Sequence, residues 1–216
     1  MLRVRSLVFV AALALMAPAM HAANSAYDQA SQLEIDAFDL QAKGDLDGAL
    51  AKHREAVKIY PSSKAFKQNF AELLNNVGVT KFQAKDYAGA IALFQEALDN
   101  VPDFGRAKAN LALAKAELAN TAGMALFKNG DFAGAIAKFN EALAADPNYK
   151  NALVNRDAAE GEVAMKAEDF TTAVAKFQEA VSITPVKFLQ DKLTEAQADL
   201  AAQQAKAAEE QKKNQK

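Results

Sequence analysis

His53 is the one histidine beyond the first 22 residues, and the chain of 216 residues has no cysteine. A lone imidazole can act as a general base only if a neighbour orients it and a nucleophile stands beside it. No G-x-S-x-G, H-E-x-x-H or G-x-x-x-x-G-K-[ST] run supplies such partners. Without thiols there is no cysteine nucleophile, redox pair or iron–sulfur ligation, and two histidines are too few for a zinc site. Asp45, Asp47 and Gly48 weakly resemble the start of a calcium loop, but the remaining oxygen ligands are missing. The chemistry that remains is that of contact: aromatic rings, side-chain amides and lysines that recur at regular intervals. The chain is therefore expected to be neither an enzyme nor a metal or cofactor protein.

What must position these groups is read from the rest of the chain. A net charge of -2 gives no broad basic field for nucleic acid or an anionic membrane, so neither is expected as a partner. Residues 1–22 stand apart. Arg3 and Arg5 precede an apolar stretch from Leu7 to Met16, which Pro18 and small residues follow, the apolar run reaching Met20 in all. The run has 14 residues, short of the ~20 that span a bilayer. It reads as a secretory signal peptide cleaved after Ala22, or after Ala19, and no transmembrane segment is expected in the mature chain. The alternative is an uncleaved N-terminal anchor. The product is expected to be exported, to a bacterial periplasm or beyond, and to be held together by packing alone.

Four segments of equal length align without gaps: Gly44 to Pro61, Lys85 to Pro102, Gly130 to Pro147 and Glu168 to Pro185. Each opens on an aspartate suited to capping a helix, Asp45, Asp86, Asp131 or Asp169, and each closes on a proline. Between these, apolar residues recur at helical spacing, as in Phe132, Ala135, Ile136, Phe139, Ala142 and Leu143. Two alanine columns, Ala49, Ala90, Ala135, Ala173 and Ala56, Ala97, Ala142, Ala180, mark where helices cross closely. His53 takes the place of Phe94, Phe139 and Phe177, which reads as a packing position. Another helical segment precedes each copy. Seven residues before the copy opens, that segment carries a small residue, Ala37, Gly78, Gly123 or Gly161.

This pattern, a small residue followed by G-D-[FY]-x-x-A-[IV]-x-x-[FY]-x-x-A-[LV] and a proline, resembles the tetratricopeptide repeat family from about Tyr27 to Pro185. The resemblance implies an all-α fold, a right-handed superhelical solenoid of antiparallel helix pairs. The expected layout is four pairs within 23–185, a C-terminal capping helix over 186–205 and a solvated tail over 206–216. Leu189, Leu193, Ala196 and Leu200 form the capping stripe, to which Phe188 can add. Homologous alanines are 41, 45 and 38 residues apart, against a family period of about 34. The excesses are close to whole helical turns, so the first helix of each pair is expected to be lengthened, and unequally. Asn69, Asn110 and Asn155 each follow a closing proline by eight residues. The runs N-F-A and N-L-A at the first two resemble the family's Asn-Leu-Gly, placing the extra turns later in those helices.

The family binds partners on the concave wall of its first helices. On that basis Gln41, Phe82, Phe127 and Met165, with Phe38, Val79 and Met124 one turn earlier, form a candidate apolar stripe for a peptide. The same rings could instead fill the space within each pair. Asn69, Asn110 and Asn155 could clamp a peptide backbone or bond a neighbouring helix. Lys43, Lys85, Lys128 and Lys166 complement helix dipoles or meet an acidic partner. The expected function is an exported scaffold binding a protein or peptide segment in its groove. The alternative is a structural protein that self-associates end to end.

Overall fold

The computed structural model describes the backbone of residues 5–215 and the side chains of 24–215. The side chains of the leader, 1–22, lie outside the described residues. Nine helices are described: α1 (Arg5–Ala42), α2 (Leu46–Ile59), α3 (Lys64–Gln83), α4 (Tyr87–Asn100), α5 (Gly105–Lys128), α6 (Phe132–Ala145), α7 (Lys150–Lys166), α8 (Phe170–Ile183) and α9 (Lys187–Asn214). No strand is present among the described residues. Consecutive helices form antiparallel pairs, with α9 as a terminal single helix.

The second helices α2, α4, α6 and α8 are each 14 residues long, and their ends follow from local chemistry. Asp45, Asp86, Asp131 and Asp169 accept a hydrogen bond from the backbone N–H three residues on, at 2.9, 3.0, 2.9 and 3.1 Å. These bonds hold the Asp86 carboxyl below the usual carboxylate range, with help from Lys81; those from Thr172 do the same for Asp169. The turn into each second helix needs one left-handed residue. Gly44 and Gly130 supply it at φ 81° and 79°, whereas Lys85 and Glu168 adopt it at 63° and 56° despite their side chains. The first helices α3, α5 and α7 have 20, 24 and 17 residues, differing by the same amounts as the alanine spacings.

The chain divides into two compact units, Met1–Asn110 and Leu111–Lys216, with α5 contributing to both. In the first unit Ala49 and Leu50 of α2 pack with Phe70, Leu73, Leu74 and Val77 of α3; Ala97, Phe104 and Ala107 complete that core. In the second, Phe139 and Ala142 of α6 lie against Ala116 of α5 and Ala152 and Ala159 of α7. All eight column alanines are fully buried. Gly78, Gly123 and Gly161 lie so close to Phe94, Phe139 and Phe177 that a Cβ on any of them would sit 2.5–2.7 Å from a ring carbon. Glycine is needed there by the fully buried ring, not by the backbone angle.

Helix α9 lies on the fourth pair. Leu189 packs with Val154, Ala158 and Ala180, Ala196 with Ala164 and Phe177, and Lys192 reaches Glu162 at 3.0 Å. Phe188 does not join this buried stripe and is 50% exposed. The cap and the tail, expected to divide at 205 and 206, form a single helix; every described residue from Ala201 onward is exposed along it.

Candidate functional site

The three asparagines set by the proline spacing form a series of interhelix bonds. Asn69 Nδ2 donates to Glu34 Oε2, Asn110 Nδ2 to Asn75 Oδ1 and Asn155 Nδ2 to Asn120 Oδ1, each at 2.8 Å and each across 35 residues. Each bond joins the first helix of one pair to the first helix of the next. Of the two roles open to these amides, bonding a neighbouring helix is the one realised by the Nδ2 groups. Continuing the spacing into α9 reaches Leu193, with Ala158 35 residues before it, so the series ends on an apolar position where α9 covers the last pair.

In the first pair the acceptor is a carboxylate, and the sequence reading had passed it over. Glu34, 5% exposed, also accepts from His53 Nδ1 at 2.6 Å. The amide nitrogen of Gln41 lies 3.0 Å from His53 Nε2, so Nε2 accepts and Nδ1 donates. His53 is fully buried, with Phe38 edge-on at 5.4 Å and Phe70 stacked at 6.3 Å. It is a packing residue, as its place in the repeat implies, but one whose two nitrogens are both held. The available signal was Glu34 standing three residues before Ala37, where Asn75 and Asn120 precede their glycines. Among the described residues no group of three or more His, Cys, Asp or Glu side chains is placed to hold a metal ion.

The rings of the expected stripe are divided between packing and exposure. Phe82 and Phe127 are half-buried, tilted against Tyr87 and Phe132 of the following helices at 5.3 and 5.0 Å. Val79 and Met165 are half-buried, and Phe38 is exposed. In the second unit Met124 and Phe127 form one wall of a cleft of about 320 Å³. Asn120 of α5, Asn151, Val154, Asn155 and Ala158 of α7, Thr184, and Val186, Phe188 and Leu189 at the start of α9 line the rest of it. No charged side chain lines it. Asn120 Nδ2 and Asn155 Oδ1 make no hydrogen bond among the described residues, so the pair retains a donor and an acceptor at the cleft.

A second polar feature was not read from the sequence. Asp157 of α7 is 3% exposed, at the position where α1 and α3 carry Leu33 and Leu74. Burial pushes its carboxyl up from the ordinary aspartate range, and Arg156, 2.9 Å away, opposes this only in part.

Residues 70–99 and 116–149 each match a family described as tetratricopeptide repeat. The family likeness thus falls on α3–α4 and on α5–α6. Both matched segments begin after the asparagine in their first helix, Asn69 or Asn110, so the likeness drawn through N-F-A and N-L-A is not supported; the turns of α5 before Ala116 precede the matched repeat. No curated protein matches the chain. Among solved structures, the chain is similar to a repeat protein of Bacteroides fragilis, at 14% identity over 78% of this chain and 98% of that one, with a TM-score of 0.49. The first repeat domain of Spaghetti (RPAP3), bound to an HSP90 peptide, aligns at 22% identity over 62% and 95%, with a TM-score of 0.28. For the repeat domain of P58(IPK) the values are 16%, 81% of this chain and 57% of that one, and 0.33. The chain thus spans little more than half the length of this last relative.

Proposed function

We propose that this chain is an exported interaction scaffold that holds a peptide segment of a partner protein in the cleft of the second unit. The observation that carries the reading is the uncharged lining of that cleft, which includes the amide pair Asn120 and Asn155. Met124, Phe127, Val186 and Phe188 suit an apolar side chain. Asn120 Nδ2 and Asn155 Oδ1 can donate to a peptide carbonyl and accept from a peptide N–H. Arg3, Arg5 and the apolar run behind them support export, with a periplasm as the compartment. The first unit carries groups of the same kind of its own, Asn69 and Asn110 with Val79 and Phe82.

Phe188 is the residue with which to test the cleft. Its ring is exposed, whereas Phe82 and Phe127 are half-buried, and replacing those would confound binding with stability. With a photo-crosslinking residue at Asn151, an envelope extract should yield one dominant crosslinked partner. Phe188→Ser should lose that partner while the melting temperature stays within a few degrees. An unchanged crosslinking pattern overturns the reading. Export is tested separately, by fractionating cells and sequencing the mature N-terminus, which should begin at Ala23; a product retained in the cytoplasm refutes it. Self-association is the second reading, favoured by the exposed end of α9. Light scattering that rises with concentration, and is abolished by deleting residues 206–216, would put it first.

A further inference from the structure

One exposed face of α1 differs from the matching positions of the other first helices in one respect. Counting from the small residue at each crossing, Ile35 corresponds to Asn76 in α3, Thr121 in α5 and Ala159 in α7. Asn76 and Thr121 are exposed and polar, and Ala159 is fully buried. Ile35 is large, apolar and 54% exposed. Phe38, one turn on, is 49% exposed with one edge on His53, and Tyr27, 48% exposed and stacked on Phe66, lies at the other end of the same stripe. Spaced at eight and then three residues, these three side chains form a ridge about 16 Å long on one side of a single helix.

The rim of this ridge carries one sign of charge. Residues 24–42 contain no lysine or arginine, and Asp28 and Asp39 run along one side of the ridge, with Asp36 beyond them on that side. Asp45 and Asp47 follow at the start of α2, and the single cation among these groups is Lys43. Asp36 accepts a hydrogen bond from Gln32 and Asp45 caps α2; among the described residues neither Asp28 nor Asp39 is paired with a cation. An exposed apolar ridge bordered by unpaired carboxylates favours an apolar partner whose own borders are basic.

We propose that the α1 face docks a basic amphipathic helix from a partner protein: its apolar stripe lies along Tyr27, Ile35 and Phe38, and its lysines or arginines meet Asp28, Asp36 and Asp39. A helix is the fitting form, because the ridge runs along a helix axis and offers no free backbone edge for a strand. This contact is independent of the uncharged cleft and differs from it in the chemistry it selects.

The test uses the purified chain and two fluorescent amphipathic helical peptides, one of leucine and lysine and its twin of leucine and glutamate. Anisotropy should show binding of the lysine peptide alone, weakening as salt rises. Ile35→Asn, which installs the residue of α3, should weaken binding about tenfold or more, as should the triple variant D28N/D36N/D39N, with no change in helical circular dichroism. Phe188→Ser in the cleft should leave it unchanged. Equal binding of both peptides overturns the proposal, as does binding that survives Ile35→Asn or follows Phe188. If Ile35→Asn disturbs folding, the exposed carboxylate variant decides the matter alone. A chain that self-associates through this face, monomeric only as Ile35→Asn, would make the occupant a second copy and refute a partner helix.

Discussion

In the second, third and fourth helix pairs a buried phenylalanine lies on a glycine of the facing helix; in the first pair the matching positions hold His53 and Ala37, both fully buried. The exchange extends to a third position. Where Asn75 and Asn120 accept one amide bond, Glu34 accepts two, from Asn69 and from His53. Gly–Phe–Asn has become Ala–His–Glu. The smaller imidazole leaves space for a methyl group at Ala37, and its Nδ1–H needs a buried acceptor, which the carboxylate provides. The difference shows that one helix crossing can be closed by ring volume alone or by a smaller ring tied down through hydrogen bonds. The ring-volume solution does not need the third position, since the fourth pair carries Ala158 there; the imidazole solution needs its carboxylate.

The largest expected effect comes from mixing the two. His53→Phe would set a larger ring against the Ala37 methyl and leave the Glu34 carboxylate without its nearest partner. Removing one member of a buried pair costs about 3–5 kcal/mol, read from urea denaturation. Adding Ala37→Gly and Glu34→Asn should recover most of the loss. A triple variant no better than the single one would break the comparison.

Gly123→Ala probes the other solution. Its Cβ would lie 2.5 Å from a Phe139 ring carbon, so a cost of about 1–3 kcal/mol is expected, seen as a lower melting temperature. The reverse change in the first pair, Ala37→Gly, should cost about 1 kcal/mol through helix propensity. Equal effects at the two sites would mean that the ring contact is not what requires glycine.

Asp157 asks whether a buried polar group always stabilises, and the expected answer differs from that for Glu34. Its folded carboxyl is raised above the unfolded value of 3.8, so the native state holds more protons between the two values. Its contribution to stability therefore falls as pH rises from 3.8 to the folded value. Asp86 and Asp169, lowered from 3.8, have the opposite sign: their contribution is present above 3.8 and lost as pH falls through the folded values. Asp157→Leu, which restores the residue of α3, should be neutral or stabilising at pH 7 and should remove the falling limb from a pH–stability profile. Marked destabilisation would show that Arg156 more than repays the burial.

The smallest effect is expected at the turns. Lys85 occupies the left-handed region that Gly44 and Gly130 fill in other pairs, so Lys85→Gly should add about 0.5–1 kcal/mol, partly offset by the entropy of the unfolded chain. Gly130→Ala should lose a similar amount. Matching changes in melting temperature of opposite sign would confirm the pairing.

The helices, their ends and their pairing were legible in the sequence, because each depends on residues within a few positions of one another. The capping aspartates, closing prolines, alanine columns and glycine–phenylalanine pairs recur in register, and the structure places them as the repeat implies. The site was legible only in part. Whether Asn155 serves a ligand or a neighbour depends on Asn120, 35 residues away, and periodicity alone does not say which faces meet. The same limit hid Glu34 behind His53, buried Asp157 and exposed Phe38 while its counterpart Met124 borders a cleft. Helical spacing assigns a residue to a face, but its burial, partners and charge are decided by what packs on that face. That comes from another helix, brought there by the stacking of pairs.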